Sequence, residues 1–157
     1  MRWSSIRGAR FFILLSAVGA LLIMGMNHKV PVIRINDAGP FFLVSEGDIL
    51  SRSYTHSMYH ERVTENFKVA GGKLKVESIV TESDAVRAYL GIGPSPEEVP
   101  HQELEGFIIP GSSTGRHALE FRGQIVELGM SGDCDGKIHI RLEEMNVFQY
   151  AALCLRG

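Results

Sequence analysis

The sequence has little of several features that would point to common classes of protein. It contains only two cysteines and no excess of either charge, with 16 Lys and Arg against 18 Asp and Glu. A balanced charge gives no reason to expect an electrostatic nucleic-acid interface, so we expect no nucleic-acid partner. Neither Cys134 nor Cys154 has a second Cys or His at the spacing of a metal motif. We therefore expect no metal and no cofactor.

The composition also leaves little room for long helices in the body of the chain. Alanine is scarce outside the N-terminal segment, whereas glycine occurs 17 times and Val, Ile and Phe are frequent. Glycine favours turns, and β-branched and aromatic residues favour strands. Roughly 125 residues follow the N-terminal segment, enough for one domain with its own core. We predict an all-β fold of seven or eight short strands, an antiparallel sandwich or a partly open barrel preceded by one N-terminal transmembrane helix.

The clearest strand pattern is a β-hairpin. Two series of residues at period two flank a Gly71-Gly72 turn: Val63, Glu65, Phe67 and Val69, then Leu74, Val76, Ser78 and Val80. Glu65 is the one carboxylate on an otherwise apolar face. Further strands are predicted at 41–44, 49–56, 106–110, 118–121, 124–130 and 137–144. The tail 147–155 allows a strand or a short helix, and its alternation favours the strand. The Gly- and Pro-containing segment 82–102 is predicted to be a loop with one helical turn at 85–89.

The N-terminus carries a targeting signal. Arg2, Arg7 and Arg10 precede an uncharged run, residues 11–26. Positive charge before an apolar run keeps that end in the cytoplasm, and the run falls a little short of the roughly 20 residues of a membrane span. No small-residue cleavage site follows Met26, which favours an uncleaved anchor over a cleaved signal peptide. We expect a single-pass inner-membrane protein whose anchor, residues 1–29, contacts the lipid bilayer through residues 11–26. A linker at 30–40 with room for one short strand follows, and the rest of the chain, 41–157, is expected to be a periplasmic domain.

The two cysteines allow two interpretations. An exported domain folds where disulfides persist, so Cys134 and Cys154 are a possible disulfide. The alternative is two separate buried thiols, because free cysteine is among the most buried residue types.

Most groups with chemical potential lie between Tyr54 and Glu65. A metal site would need His56, His60 and Glu61 on one helix face, but the surrounding pattern is strand, turn, strand. Hydrolysis would need Ser57 activated by a histidine that Glu65 orients, yet no glycine-flanked serine supplies an oxyanion hole. The sequence therefore argues against an enzyme, with a hydrolase as the minor alternative.

The third interpretation of this segment is a buried polar cluster. Burying a carboxylate without a partner is costly, so Glu65 should be paired. We expect it to meet His56 across the hairpin, with Ser57 bonded to a turn and Tyr54 nearby. Such a cluster is either structural or the polar end of a ligand pocket.

Several of these residues resemble a known family. The motif Tyr-Thr-His-Ser at 54–57, the Val-Thr-Glu-Asn-Phe at 63–67, the Gly-Gly turn and the later Gly91, Gly93 and Pro94 together resemble the DUF1850 family over roughly residues 41–142. Members are small exported proteins associated with TRAP transporters of the TAXI type. The resemblance implies an accessory role by contact with the transporter's membrane subunit or solute-binding protein. The alternative is a free-standing exported ligand-binding module with a pocket around His56, Ser57 and Glu65.

Overall fold

The computed structural model describes residues 4–37, 39–93, 95, 99, 101–110, 116–129 and 136–155. Within them the helices are α1 (Ser4–Asn27), α2 (Asp84–Leu90) and α3 (Val147–Cys154). The strands are β1 (Lys29–Ile35), β2 (Phe41–Leu43), β3 (Ile49–Thr55), β4 (Arg62–Ala70), β5 (Lys73–Thr81), β6 (Glu103–Leu104), β7 (Gly106–Pro110), β8 (His117–Phe121), β9 (Gln124–Leu128) and β10 (Lys137–Asn146). The chain divides into two compact units, residues 31–143 and residues 1–30 with 144–157.

The strands form two antiparallel sheets, which confirms the prediction of a mostly β fold. The six-stranded sheet has the order β6-β5-β4-β3-β8-β9, and the four-stranded sheet has the order β2-β1-β10-β7. Six of the predicted strands are present at the predicted places as β2, β3, β7, β8, β9 and β10. β6 has only two residues and was not predicted.

The predicted hairpin is β4 and β5. Its two strands pair from Val63 opposite Thr81 to Ala70 opposite Lys73. Gly71 and Gly72 both have positive φ, 62° and 72°, the backbone conformation that a tight two-residue hairpin turn requires and that glycine adopts without strain. A bulge between Asn66 and Phe67 shifts the register partway along the pair.

Both sheets contribute to one hydrophobic core in residues 31–143. Buried side chains of the six-stranded sheet pack with buried side chains of the four-stranded sheet: Leu50, Phe67, Val69, Leu74, Leu119 and Phe121 with Ile33, Ile35, Ile109, Ile138 and Ile140. Gly106 lets β7 approach β10 closely, since a Cβ there would lie 2.3 Å from the carbonyl oxygen of Ile140.

The segment predicted as a linker at 30–40, with room for one short strand, contains most of β1. Residues Lys29–Ile35 form a strand of seven residues, and Val32 and Ile33 are fully buried. Pro31 and the lack of regular alternation make this strand hard to recognise in the sequence, but its buried side chains Val32, Ile33 and Ile35 complete the core. The ordered β structure therefore begins before Phe41.

The structure also corrects the predicted C-terminal strand, because the tail forms α3. Asn146 caps this helix: its side chain accepts a hydrogen bond from Gln149 N, and the Gln149 side chain accepts one from Asn146 N, both at 2.9 Å. This reciprocal capping box satisfies amides that a helix start leaves without partners.

The N-terminal residues form one helix, α1, of 24 residues. A search of the part of the chain that the structure describes finds no helix whose length and apolarity suffice for crossing a membrane.

Candidate functional site

Four polar side chains lie together on the inner face of the six-stranded sheet, and we call them the polar cluster: Arg52, Tyr54, Glu65 and His117. Arg52 and Tyr54 follow the buried Leu50 on β3 at period two, so strand alternation turns them toward the core. Glu65 lies between the buried Val63 and Phe67 on β4 in the same way. The period-two alternation that turns the apolar side chains of β3 and β4 toward the core therefore turns these polar side chains toward it as well.

The centre of the polar cluster is an ion pair between neighbouring strands. Arg52 lies directly opposite Glu65 in the β3–β4 register, and its Nη1 donates to Glu65 Oε2 at 3.1 Å. Their side chains are only 17% and 15% exposed, respectively. Burying either charge alone would be costly, so the pairing is a condition for placing both on this face.

Tyr54 completes the hydrogen bonding of the carboxylate. Its hydroxyl donates to Glu65 Oε1 at 3.0 Å, so each carboxylate oxygen accepts one bond. Burial, and then the negative charge of Glu65, raise the pKa of Tyr54 well above its usual range. Tyr54 therefore keeps its proton and remains a donor to Glu65 at physiological pH.

The aromatic surroundings hold the guanidinium in place. The Cζ of Arg52 lies 4.6 Å from the centroid of the Tyr54 ring and 5.4 Å from that of the Phe107 ring. Both distances are within the range of cation–π attraction. The Nε of Arg52 is buried and has no acceptor among the described residues. The guanidinium thus has more donors than the surrounding protein uses.

His117 on β8 closes the other side of the polar cluster. Its ring stacks on Tyr54, with centroids 5.5 Å apart and planes 20° apart, and the residue is only 7% exposed. Burial, and then the positive charge of Arg52, lower the pKa of His117 below its ordinary value of 6.5. His117 is therefore neutral at neutral pH, and the polar cluster carries one positive and one negative charge.

Beside the polar cluster lies a cavity of about 340 Å³, which we call the inter-sheet cleft. Its charged lining is the Arg52–Glu65 pair, and Gln102 is a further polar group. The remaining lining is apolar: Phe67, Val76, Ile79, Leu90, Leu104 and Phe107. The cleft therefore has apolar walls and one polar side.

Local sequence explains how α2 brings Leu90 to the cleft. Ser83 caps the helix start, where its hydroxyl accepts a hydrogen bond from Val86 N at 3.3 Å. Gly91 ends the helix in a left-handed conformation, φ 66°, which favours glycine. Val86 is fully buried and holds the helix on the domain.

The structure does not join His56 to Glu65 as predicted. Glu65 bonds to Arg52 and Tyr54, whereas the Nδ1 of His56 accepts a hydrogen bond from Met58 N at 3.3 Å. Ser57 is exposed in the turn after β3, and no hydrogen bond to His56 or His60 is present among the described residues. The geometry of a serine nucleophile with its base is therefore not formed in this region.

His56 instead is buried, only 8% exposed, against the rings of two more exposed tyrosines. Its ring centroid lies 5.2 Å from that of Tyr59 and 5.0 Å from that of Tyr89, and the two tyrosine rings are 6.2 Å apart. Met58 is 62% exposed and Tyr89 is 59% exposed. We call the exposed residues Met58, Tyr59 and Tyr89, which lie over or beside His56, the aromatic surface.

The remaining predicted residues lie apart from the polar cluster. Gly91 ends α2 and Gly93 follows it, while Pro94 lies outside the described residues. Cys154 is exposed on α3, and Cys134 also lies outside the described residues, so the disulfide stays a prediction. Among the described side chains, no three His, Cys, Asp or Glu residues are grouped so that they could hold a metal ion.

Sequence reasoning selected Tyr54 and Glu65 but missed Arg52, His117 and the cleft. The sequence does indicate that Arg52 faces inward, since it lies two residues from both Leu50 and Tyr54 and therefore on the same face of the strand. Arg52 can be recognised as the partner of Glu65 only when the β3–β4 register is known. The turn between these two strands has no sequence signature that would predict that register.

The chain was compared with protein-family models, with curated proteins and with solved structures. No family model, curated protein or solved structure matches it.

Proposed function

We propose that this protein is a binding module for a small amphipathic molecule, which occupies the inter-sheet cleft. The observation that carries the proposal is the combination of apolar walls with the Arg52–Glu65 pair at one side of a single cavity. Small-molecule sites are concave, mostly apolar and supplied with a few convergent polar groups.

The size of the cleft supports a small ligand. A volume of about 340 Å³ holds on the order of ten non-hydrogen atoms, since one water in the liquid takes about 30 Å³. The apolar body of the ligand would lie against Phe67 and Leu104, and its polar group would face Arg52.

The polar groups of the described lining suit the binding of a small molecule. The two charged side chains there are paired with each other, and Gln102 is uncharged. The described lining residues include no serine, cysteine or histidine, so no Ser–His or Cys–His pair faces the cleft among them.

Three seven-carbon probes test the proposal: heptanamide, heptanoate and heptylammonium. The full-length chain, kept in lipid nanodiscs, is labelled at the methyl groups of Ile79 and Leu90 and titrated with each probe by NMR. We expect at least one probe to shift these signals in a saturable way. The Leu104→Trp variant, whose larger side chain fills the cleft, should abolish the shifts.

Ile125→Trp is the matched control, because Ile125 is exposed on β9 and does not line the cleft. It should bind as the wild type does. If no probe binds at millimolar concentration, or if Leu104→Trp and wild type bind equally, a ligand-binding function of this cleft is refuted.

We also propose a setting for this module, as an extracytoplasmic domain anchored in the cell inner membrane by residues 11–26. The basic residues before that run support this topology. A reporter that works only in the cytoplasm, fused after Gly157, should be inactive. An active fusion would contradict the topology.

A second candidate function is contact with the membrane subunit of a TAXI-type TRAP transporter. The exposed aromatic surface supports it, because aromatic residues and Met are enriched in protein interfaces. The tagged protein should co-purify with that subunit at native expression in mild detergent. Tyr89→Ser should reduce the recovery and Ile125→Ser should not. Recovery of the wild-type protein alone would contradict this function.

A further inference from the structure

The charges of the inter-sheet cleft restrict the ligand that the proposed function requires. Among the described lining residues one side chain is positive and one is negative, Arg52 and Glu65, and these are paired at 3.1 Å. His117, in contact with the other side of the polar cluster, is neutral at neutral pH for the reasons given above. The described lining therefore has no net charge for a ligand to neutralise.

The hydrogen-bonding groups of the pair are only partly used. A guanidinium has five N–H donors and a carboxylate has about four acceptor sites. The ion pair uses one N–H donor of Arg52 and one acceptor site on Glu65 Oε2. The Tyr54 hydroxyl uses one acceptor site on Glu65 Oε1. Donors and acceptors therefore remain side by side at the polar side of the cleft.

We propose that the ligand of this cleft is an electrically neutral amphiphile whose polar group both accepts and donates hydrogen bonds, such as a primary amide on an apolar chain. This inference rests on the proposed function. The carbonyl oxygen accepts from the guanidinium of Arg52, and the amide N–H donates to the carboxylate of Glu65. The apolar chain lies along Phe67, Ile79 and Leu104.

Charged head groups fit this site less well. A carboxylate accepts from Arg52 but places a second negative charge beside Glu65 and has no donor for it. An ammonium donates to Glu65 but lies beside the positive charge of Arg52. Either ion loses hydration on entering a half-buried site without gaining a net opposite charge.

Heptanamide and heptanoate provide the test, because they have the same number of non-hydrogen atoms and differ in charge. Dissociation constants at pH 7 are measured by NMR titration of the full-length chain in nanodiscs. We expect heptanamide to bind about tenfold more tightly than heptanoate and than heptylammonium, a difference typical of one poorly compensated charge. Equal or tighter binding of either ion refutes the inference.

Two variants alter the charge of the site and test whether charge balance causes the preference for heptanamide. Glu65→Gln gives the pair a net positive charge, so the preference for heptanamide over heptanoate should fall about tenfold. Gln102→Lys adds a positive charge at an exposed lining position without disturbing the ion pair, and should act in the same direction. It keeps the test valid if Glu65→Gln does not fold. Gln102→Glu should act in the opposite direction.

The outcomes separate the two proposals. If heptanoate or heptylammonium binds best and Leu104→Trp abolishes that binding, the cleft is a ligand site but the neutral ligand is refuted. If the preference is unchanged in both Glu65→Gln and Gln102→Lys, charge balance is refuted as its cause. If none of the three probes binds, the proposed function itself is refuted.

Discussion

Arg52 and Glu65 lie directly opposite each other on β3 and β4 and form an ion pair on the inner face of the six-stranded sheet. The sequence marks Glu65 as an anomaly, a carboxylate in a series of apolar residues. Its partner comes from the neighbouring strand, and both charges are mostly withdrawn from solvent. The pair therefore affects stability as well as the chemistry of the cleft.

Removal of one charge should destabilise the domain more than removal of both. Glu65→Ala leaves Arg52 half-buried without its acceptor, and we expect the free energy of unfolding to fall by about 3 kcal/mol. The double variant Arg52→Met/Glu65→Leu replaces the pair by apolar groups and leaves only the Tyr54 hydroxyl without its acceptor, so it should be more stable than Glu65→Ala. Urea denaturation of the three proteins measures the difference.

The exposed pair of Lys68 and Glu77 is the matched control. It joins the same hairpin strands at 3.0 Å, but both side chains are well exposed. Glu77→Ala should cost less than about 1 kcal/mol. A double variant of the inner pair as unstable as Glu65→Ala would contradict this account of the ion pair.

Acid should weaken the domain through His117. Its pKa is lowered in the folded state by burial and by Arg52, so the unfolded chain binds a proton more readily. The stability that His117 contributes is complete above the unfolded pKa of 6.5 and is lost as pH falls toward the lower folded pKa. His117→Gln should therefore show a smaller decrease of Tm than the wild type between about pH 7 and pH 5.

The exposed His60 provides the comparison for this titration. His60→Gln should retain the full decrease of Tm on acidification, because His60 is exposed and lies outside the polar cluster. If His117→Gln and His60→Gln follow the same pH curve, His117 is not the group responsible.

A methyl group at Gly106 should not be tolerated. A Cβ there would lie 2.3 Å from the carbonyl oxygen of Ile140 and 2.9 Å from the Cα of Arg141, and both are backbone atoms. β7 would have to move from β10, so Gly106→Ala should cost about 2 kcal/mol or more in urea denaturation. Gly129→Ala is the control, since no atom lies within 4 Å of its added Cβ. Equal stability of the two variants would show that β7 does not pack as described.

The capping box of α3 should control the order of that helix. Asn146→Ala removes the acceptor for Gln149 N, and we expect a loss of about 1 kcal/mol in local stability. Amide hydrogen exchange across Val147–Cys154 measures this as faster exchange in the variant. Gln149→Ala removes only the reciprocal bond and should have a smaller effect. Unchanged exchange in Asn146→Ala would contradict the cap.

Sequence patterns predicted part of the fold because their causes are local. The β4–β5 hairpin was recognised from alternation at period two and from Gly71-Gly72, whose left-handed conformation makes the turn. For the tail that forms α3, a strand is favoured over a short helix because the alternation of its apolar residues resembles a strand. The Asn146–Gln149 capping box was the better guide there, since a helix start depends on satisfying its own amides.

The candidate site was only partly predictable. That Glu65 needs a partner follows from the cost of burying a charge, but the sequence favoured His56 over Arg52. The partner depends on strand register, and a shift of one residue would turn Arg52 to the other face. The N-terminal topology, the disulfide and the transporter association stay predictions.

Local sequence accounts for the mostly β character, the hairpin and the placement of one carboxylate among inward-facing residues, because alternation and turn chemistry act between near neighbours. Long-range packing, in contrast, sets the pairing of Arg52 with Glu65, the completion of the core by β1 and the cleft beside the pair. These features depend on contacts between residues far apart in the chain, such as Phe67 and Phe107, whose rings stack at 5.0 Å.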